Sequence, residues 1–127
     1  MQELTKAEEQ VMNILWKLEK GFLKDVVEAF PEPKPATTTV STVIRVLVKK
    51  SFVGFKSYSK VNEYFPKVKK SAYFKNHFSN LAKKFFNGSH GSMASYFADA
   101  DDVSLQELEE LKKLIEANID KKKKGHD

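Results

Sequence analysis

The sequence predicts a mostly α-helical protein with one small β-hairpin. Three observations lead there. Apolar residues recur at helical spacing in three segments before residue 50. Two short runs rich in aromatic and β-branched residues, at 53–58 and 63–68, flank a polar tip at 59–62, which is a hairpin pattern. Beyond residue 70 the helical spacing returns. Three helices and a hairpin within about 65 residues follow the order of a winged helix-turn-helix. The expected organisation is that fold over residues 1–70, a three-helix dimerisation unit over 71–120, and a basic disordered tail over 121–127.

The first helix opens on Thr5 and Glu8, a T-x-x-E capping box. Val11, Ile14, Leu15 and Leu18 form its apolar stripe, widened by Met12 and Trp16, and Gly21 ends it. Leu23, Val26, Val27 and Phe30 mark a second, shorter helix, stopped by Pro31, Pro33 and Pro35. The third helix runs from Thr37 or Thr38 to about Lys50, with Val40, Val43, Ile44 and Leu47 inward. At about 100° per residue, Thr38, Thr42, Arg45 and Lys49 share the opposite face, with Thr39, Ser41 and Val46 at its edges. Its β-branched residues are mediocre helix formers, so tertiary packing must hold it.

After residue 70 the pattern changes. Phe74, Phe78, Leu81 and Phe85 recur as the aromatic face of an amphipathic helix that ends at Asn87-Gly88-Ser89. A short helix at 92–98 carries Met93, Tyr96 and Phe97. Ser104 and Glu107 form another capping box, and Leu105, Leu108, Leu111, Ile115 and Ile119 continue an apolar stripe. Three short helices cannot enclose so much aromatic and aliphatic surface alone. Pairing with a second copy resolves this, and Phe74, Phe78, Leu81, Phe85, Phe97, Leu108, Leu111 and Ile115 are the expected dimerisation residues.

Charge locates the functional face. The formal charge of the 127 residues is only +5. Residues 37–70, however, set Arg45, Lys49, Lys50, Lys56, Lys60, Lys67, Lys69 and Lys70 against the single acid Glu63, whereas residues 99–116 are net acidic. A polar, cationic helix face followed by a basic hairpin suits a DNA major groove and its flanking phosphates. The expected contacts with double-stranded DNA are Thr38, Thr39, Ser41, Thr42, Arg45, Lys49, Lys56 and Lys60. Arg45 is the candidate for bidentate reading of a guanine, and Lys49 for a phosphate.

Other chemistry is not indicated. With no cysteine there is no disulfide and no thiolate metal site. His77, His90 and His126 match no ligand spacing, so no metal or other cofactor is expected. No catalytic constellation or phosphate-binding glycine loop appears, which argues against an enzyme. No signal peptide and no apolar run of membrane-spanning length is seen, so a cytoplasmic protein without membrane insertion is expected. Two other readings stay open. The basic hairpin could bind an acidic protein as a winged-helix interaction module, or a small ligand among the C-terminal aromatics could switch DNA binding.

Several groups together resemble the penicillinase-repressor family of winged-helix regulators, over roughly residues 4–116. They are Leu4-Thr5, Ala7-Glu8, Val11-Met12 and Leu15-Trp16, then Thr38-Thr39-Val40, Lys49-Lys50 and Phe52-Val53, and finally Phe97 with the segment from Ser104 to Leu111. The resemblance implies a transcriptional repressor that binds a palindromic operator as a homodimer. It also implies release by a membrane sensor-protease that leads to cleavage of the C-terminal unit, with Tyr96–Phe97 as the corresponding bond. The cysteine cluster of copper-responsive members is absent. Ser51 replaces the usual glycine after the third helix, Lys60-Val61-Asn62 replaces an arginine-bearing wing tip, and Tyr96 stands where cleaved members tend to have asparagine.

Overall fold

The computed structural model describes residues 1–125. Its elements are α1 (Lys6–Leu18), β1 (Gly21–Phe22), α2 (Leu23–Glu28), α3 (Thr37–Lys49), β2 (Val53–Tyr58), β3 (Val61–Pro66), α4 (Lys70–Phe85), α5 (His90–Ala98) and α6 (Leu105–Gly125). The chain divides into two compact units, Met1–Phe78 and Ser79–Asp127.

The first unit is a winged helix-turn-helix built on a closed core. Val11, Met12 and Leu15 of α1 meet Val26 of α2, Val40, Ile44 and Leu47 of α3, and Phe52 and Val53 beside β2. These positions are the apolar stripes of the sequence, and burying each removes about 1.5–3 kcal/mol of unfavourable exposure. The capping box of α1 is formed. Glu8 N–H donates to Thr5 Oγ1 at 3.2 Å, and Thr5 N–H donates to Glu8 Oε1 at 2.9 Å.

The sheet differs from the expected lone hairpin. It has three antiparallel strands in the order β1-β3-β2. Gly21 does not simply end a helix. α1 stops at Leu18, Glu19 adopts positive φ, and Gly21 and Phe22 pair with Tyr64 and Glu63. A two-residue strand carries no periodicity, so its sequence gives no sign of it. β3 starts at Val61, where residue 63 was expected, because Tyr58 pairs directly with Val61 across a turn of Ser59 and Lys60. Ser59 takes φ +59° to close that turn.

The boundary between units falls after Phe78, later than the expected residue 70. The reason is Tyr73, which is only 4% exposed and completes the first core. The expected basic tail also differs: α6 continues to Gly125, so residues 121–124 are helical. His126 and Asp127 of that expected tail lie outside the described residues. In the second unit Ser89 caps α5 through Ser92 N–H, and Ser104 accepts from Glu107 N–H at 3.1 Å at the start of α6.

Candidate nucleic-acid interface

α3 is held by one face and offers the other. Val40, Ile44 and Leu47 are buried, and this fixes Thr38, Thr39, Thr42, Arg45 and Lys49 outward, all exposed, with Ser41 half-buried at the edge. Val46 is partly exposed beside Thr42 and Arg45. The Thr42 hydroxyl donates to Thr38 O at 2.9 Å. Its proton is therefore used within the helix, and what it turns outward is a methyl group and an acceptor lone pair. The Arg45 guanidinium donates once, to Ser41 Oγ at 3.4 Å, and its remaining N–H donors are uncommitted. Ala36 at the N-cap supplies no side-chain bond to the first turn of α3. That leaves amide donors and the positive end of the helix dipole available to an anion.

The hairpin adds charge beside this face. Lys56 and Lys60 are exposed, and the Lys56 ammonium lies 5.4 Å from the Tyr58 ring centre. Lys56 faces Glu63 across the ladder without forming an ion pair. Among the described residues the side-chain ion pairs are Lys50–Glu8 and the longer His77–Glu3 contact. Arg45, Lys49, Lys56 and Lys60 thus meet no acidic partner within ion-pair distance.

Lys50 is the exception among the basic residues of 37–70. Its ammonium reaches both carboxylate oxygens of Glu8, at 2.8 and 2.9 Å. Glu8 is buried, which raises its pKa. The bonds from Lys50 and Thr5 more than offset this and leave the carboxyl below its ordinary value. Lys50 therefore ties the end of α3 to the start of α1 and does not belong to the uncommitted outward-facing set. The next residue, Ser51, sits at φ +67°, the left-handed conformation that favours glycine.

The second unit shows where the expected dimerisation residues lie. Phe85 of α4, Phe97 of α5, and Leu111 and Ile115 of α6 are exposed by half or more, while Leu81 and Leu108 are half-buried. Phe74 is exposed and Phe78 half-buried on the part of α4 that belongs to the first unit. Sequence reasoning passed over Leu114, which is 61% exposed. From residue 79 on, only Ala82 and Met93 are buried among the described residues. Tyr96 and Phe97, the expected cleavage bond, lie exposed in the last turn of α5. No helix among the described residues is long and apolar enough to cross a membrane, and none of their acidic or histidine groups clusters as a metal site would.

The family model of the penicillinase repressor matches residues 4–117. The chain belongs to the penicillinase-repressor family. By family it is a DNA-binding repressor and not an enzyme. Among its relatives is the methicillin resistance regulatory protein MecI of Staphylococcus aureus strain N315, 29% identical over 114 residues, which are 89% of this chain and 93% of MecI. The penicillinase repressor of Bacillus licheniformis is 25% identical over 122 residues, 95% of each chain. The solution structure of the DNA-binding domain of the repressor BlaI is similar to 56% of this repressor and 88% of that chain, with a TM-score of 0.50 and 24% identity. That likeness shows the winged-helix fold.

Proposed function

We propose that this repressor reads a palindromic DNA operator as a homodimer, with α3 in the major groove. The observation that carries the proposal is the outward face of α3, where an unpaired Arg45 stands between Thr42 and Lys49. Arg45 suits bidentate bonding to guanine O6 and N7, and the methyl of Thr42 and the side chain of Val46 suit a thymine methyl. Thr38, Thr39 and Ser41 border the bases or the sugar-phosphate chain, and Lys49, Lys56 and Lys60 serve phosphates. A two-fold dimer would present two such helices to half-sites about one helical turn or a multiple apart.

The exposed apolar surface of α4–α6 supports the homodimer. Within the second unit a groove of about 560 Å³ runs between α5 and α6, lined mainly by Ala94, Ala98, Leu108, Leu111 and Ile115. Its walls are mostly small and aliphatic, with Ser95, Lys112 and Glu116 the polar side chains among them. It suits an apolar helix face better than a small effector.

Release by cleavage at Tyr96–Phe97, under a membrane sensor-protease, is the second part of the proposal. A protease takes an extended strand, so the last turn of α5 must first unwind. Among the residues of α5 only Met93 is buried, so local opening there costs little. A repressor of this kind works in the cytoplasm.

The test is selection of genomic fragments by the purified repressor at two salt concentrations. One short palindrome, with half-sites about 10 base pairs or a multiple apart, is the expected result. Sequence-blind binding that vanishes at the higher salt would overturn it and favour the interaction-module reading.

A further inference from the structure

We propose that the cavity between β1, the start of α2 and the start of β3 is a binding site for an aromatic monocarboxylate, and that filling it takes Lys60 away from DNA. The site lies wholly within the first unit. Its effect on DNA rests on the phosphate contact proposed for Lys60 above.

The cavity has a volume of about 440 Å³, a size that suits a small organic molecule. Its apolar walls are Phe22 of β1, Leu23 at the start of α2, and Val61 and Tyr64 of β3. These walls are anchored. Gly21 and Phe22 pair with Tyr64 and Glu63, and Leu23 and Tyr64 pack against the closed core. The Phe22 ring meets the Tyr58 ring edge-on, with centres 6.1 Å apart. A flat apolar ring finds aromatic and branched aliphatic surface there.

The polar groups give the sign of the ligand. Lys24, Asp25, Lys60 and Asn62 complete the lining. The Asp25 carboxylate already accepts from Phe22 N–H at 2.9 Å. Asn62 Oδ1 accepts from Ser57 Oγ at 2.8 Å, which leaves the amide N–H groups of Asn62 as donors. Neither Lys24 nor Lys60 has an acidic partner within ion-pair distance among the described residues. Donors and two cations therefore line one apolar cavity, while its one carboxylate is engaged. That combination favours a single anionic group on an apolar body. Lys60 stands in the β2–β3 turn, next to Ser59 at φ +59°. A carboxylate bonded to it there competes with a DNA phosphate.

The experiment follows backbone amide shifts of the full-length repressor during titration with phenylacetate. Phenylacetamide serves as its neutral twin, and acetate as the charge alone. Phenylacetate should give saturable shifts at 21–25 and 60–64, and acetate none. Phenylacetate should bind about fivefold tighter than phenylacetamide, the worth of one hydrogen bond near the surface. The double variant Lys24→Gln, Lys60→Gln should lose that preference. Val61→Asp sets a carboxylate at an exposed position of the cavity wall and should lose the shifts altogether. No saturable shift at these residues, or equal affinity for acid and amide, would overturn the site. So would shifts confined to the second unit. At matched ionic strength, phenylacetate should weaken wild-type binding to operator and random DNA alike and leave that of the double variant unchanged. An unaffected wild type would overturn the link to DNA. Sequence-blind fragment selection would overturn the operator reading and leave the amide shifts as they are.

Discussion

Leu15, Ile44 and Leu47 of the first unit lose essentially all contact with solvent, whereas Leu111, Leu114 and Ile115 of the second keep half or more of theirs. The residues are chemically alike and equally well spaced along their helices. What differs is whether the chain supplies the opposing surface. In the first unit α1, α2, α3 and the sheet enclose one another. In the second, α6 has no buried residue among its 21. Among the described residues that stripe stays exposed, and it is the surface that the proposed homodimer would cover. The first unit closes its core around α3, and the second leaves its apolar stripe exposed; the proposed division of labour, with one unit presenting a reading helix and the other pairing with its copy, rests on that difference.

The comparison breaks most severely where the open surface is charged. Ile115→Asp should cost little in the single chain, where the residue is half exposed, but should abolish pairing. Operator affinity would then drop about 100-fold through loss of the second, tethered contact. Sedimentation alongside operator titration checks this, and a variant that stays dimeric would remove α6 from the interface.

A smaller effect is expected inside the closed unit. Glu8→Ala removes an N-terminal cap and leaves Lys50 without its carboxylate, and should destabilise the fold by about 2 kcal/mol. Glu8 titrates lower in the folded chain than its ordinary 4.5. Its ionised form is thus favoured by folding, and the stability it contributes is complete above that pH and lost as the pH falls through the depressed value. Denaturant titrations at neutral and acid pH should show the gap between wild type and Glu8→Ala closing on acidification. A constant gap would mean that the Lys50 bridge contributes nothing.

The smallest effect has the opposite sign. Ser51 holds a left-handed backbone at the turn out of α3, so Ser51→Gly should stabilise the first unit by about 1 kcal/mol. A lower melting temperature in this variant would show that the serine side chain makes up for its strain.

The sequence made the closed unit far more legible than the open one. Helical spacing exposed the stripes of α1 and α3, and the same spacing placed Arg45 and Lys49 together on the outer face of α3, because both depend on neighbours three and four residues away. The Lys50–Glu8 bridge joins positions 42 apart and looked like one more cation of a basic stretch. Tyr73 was hidden for a similar reason. The phenylalanine pattern of α4 drew attention to Phe74, which is exposed, while its neighbour Tyr73 enters the core. Leu114 was missed because α6 carries apolar residues wider than one strict stripe.

The measurement that reaches the central claim most directly is paired binding of Arg45→Ala and Lys56→Ala to operator and to random DNA across a salt series. Arg45→Ala should lose about 1–3 kcal/mol on the operator and much less on random DNA. Lys56→Ala should lose equally on both and reduce the salt slope by about one. Equal losses on the two DNAs for Arg45→Ala would contradict a reading role for α3.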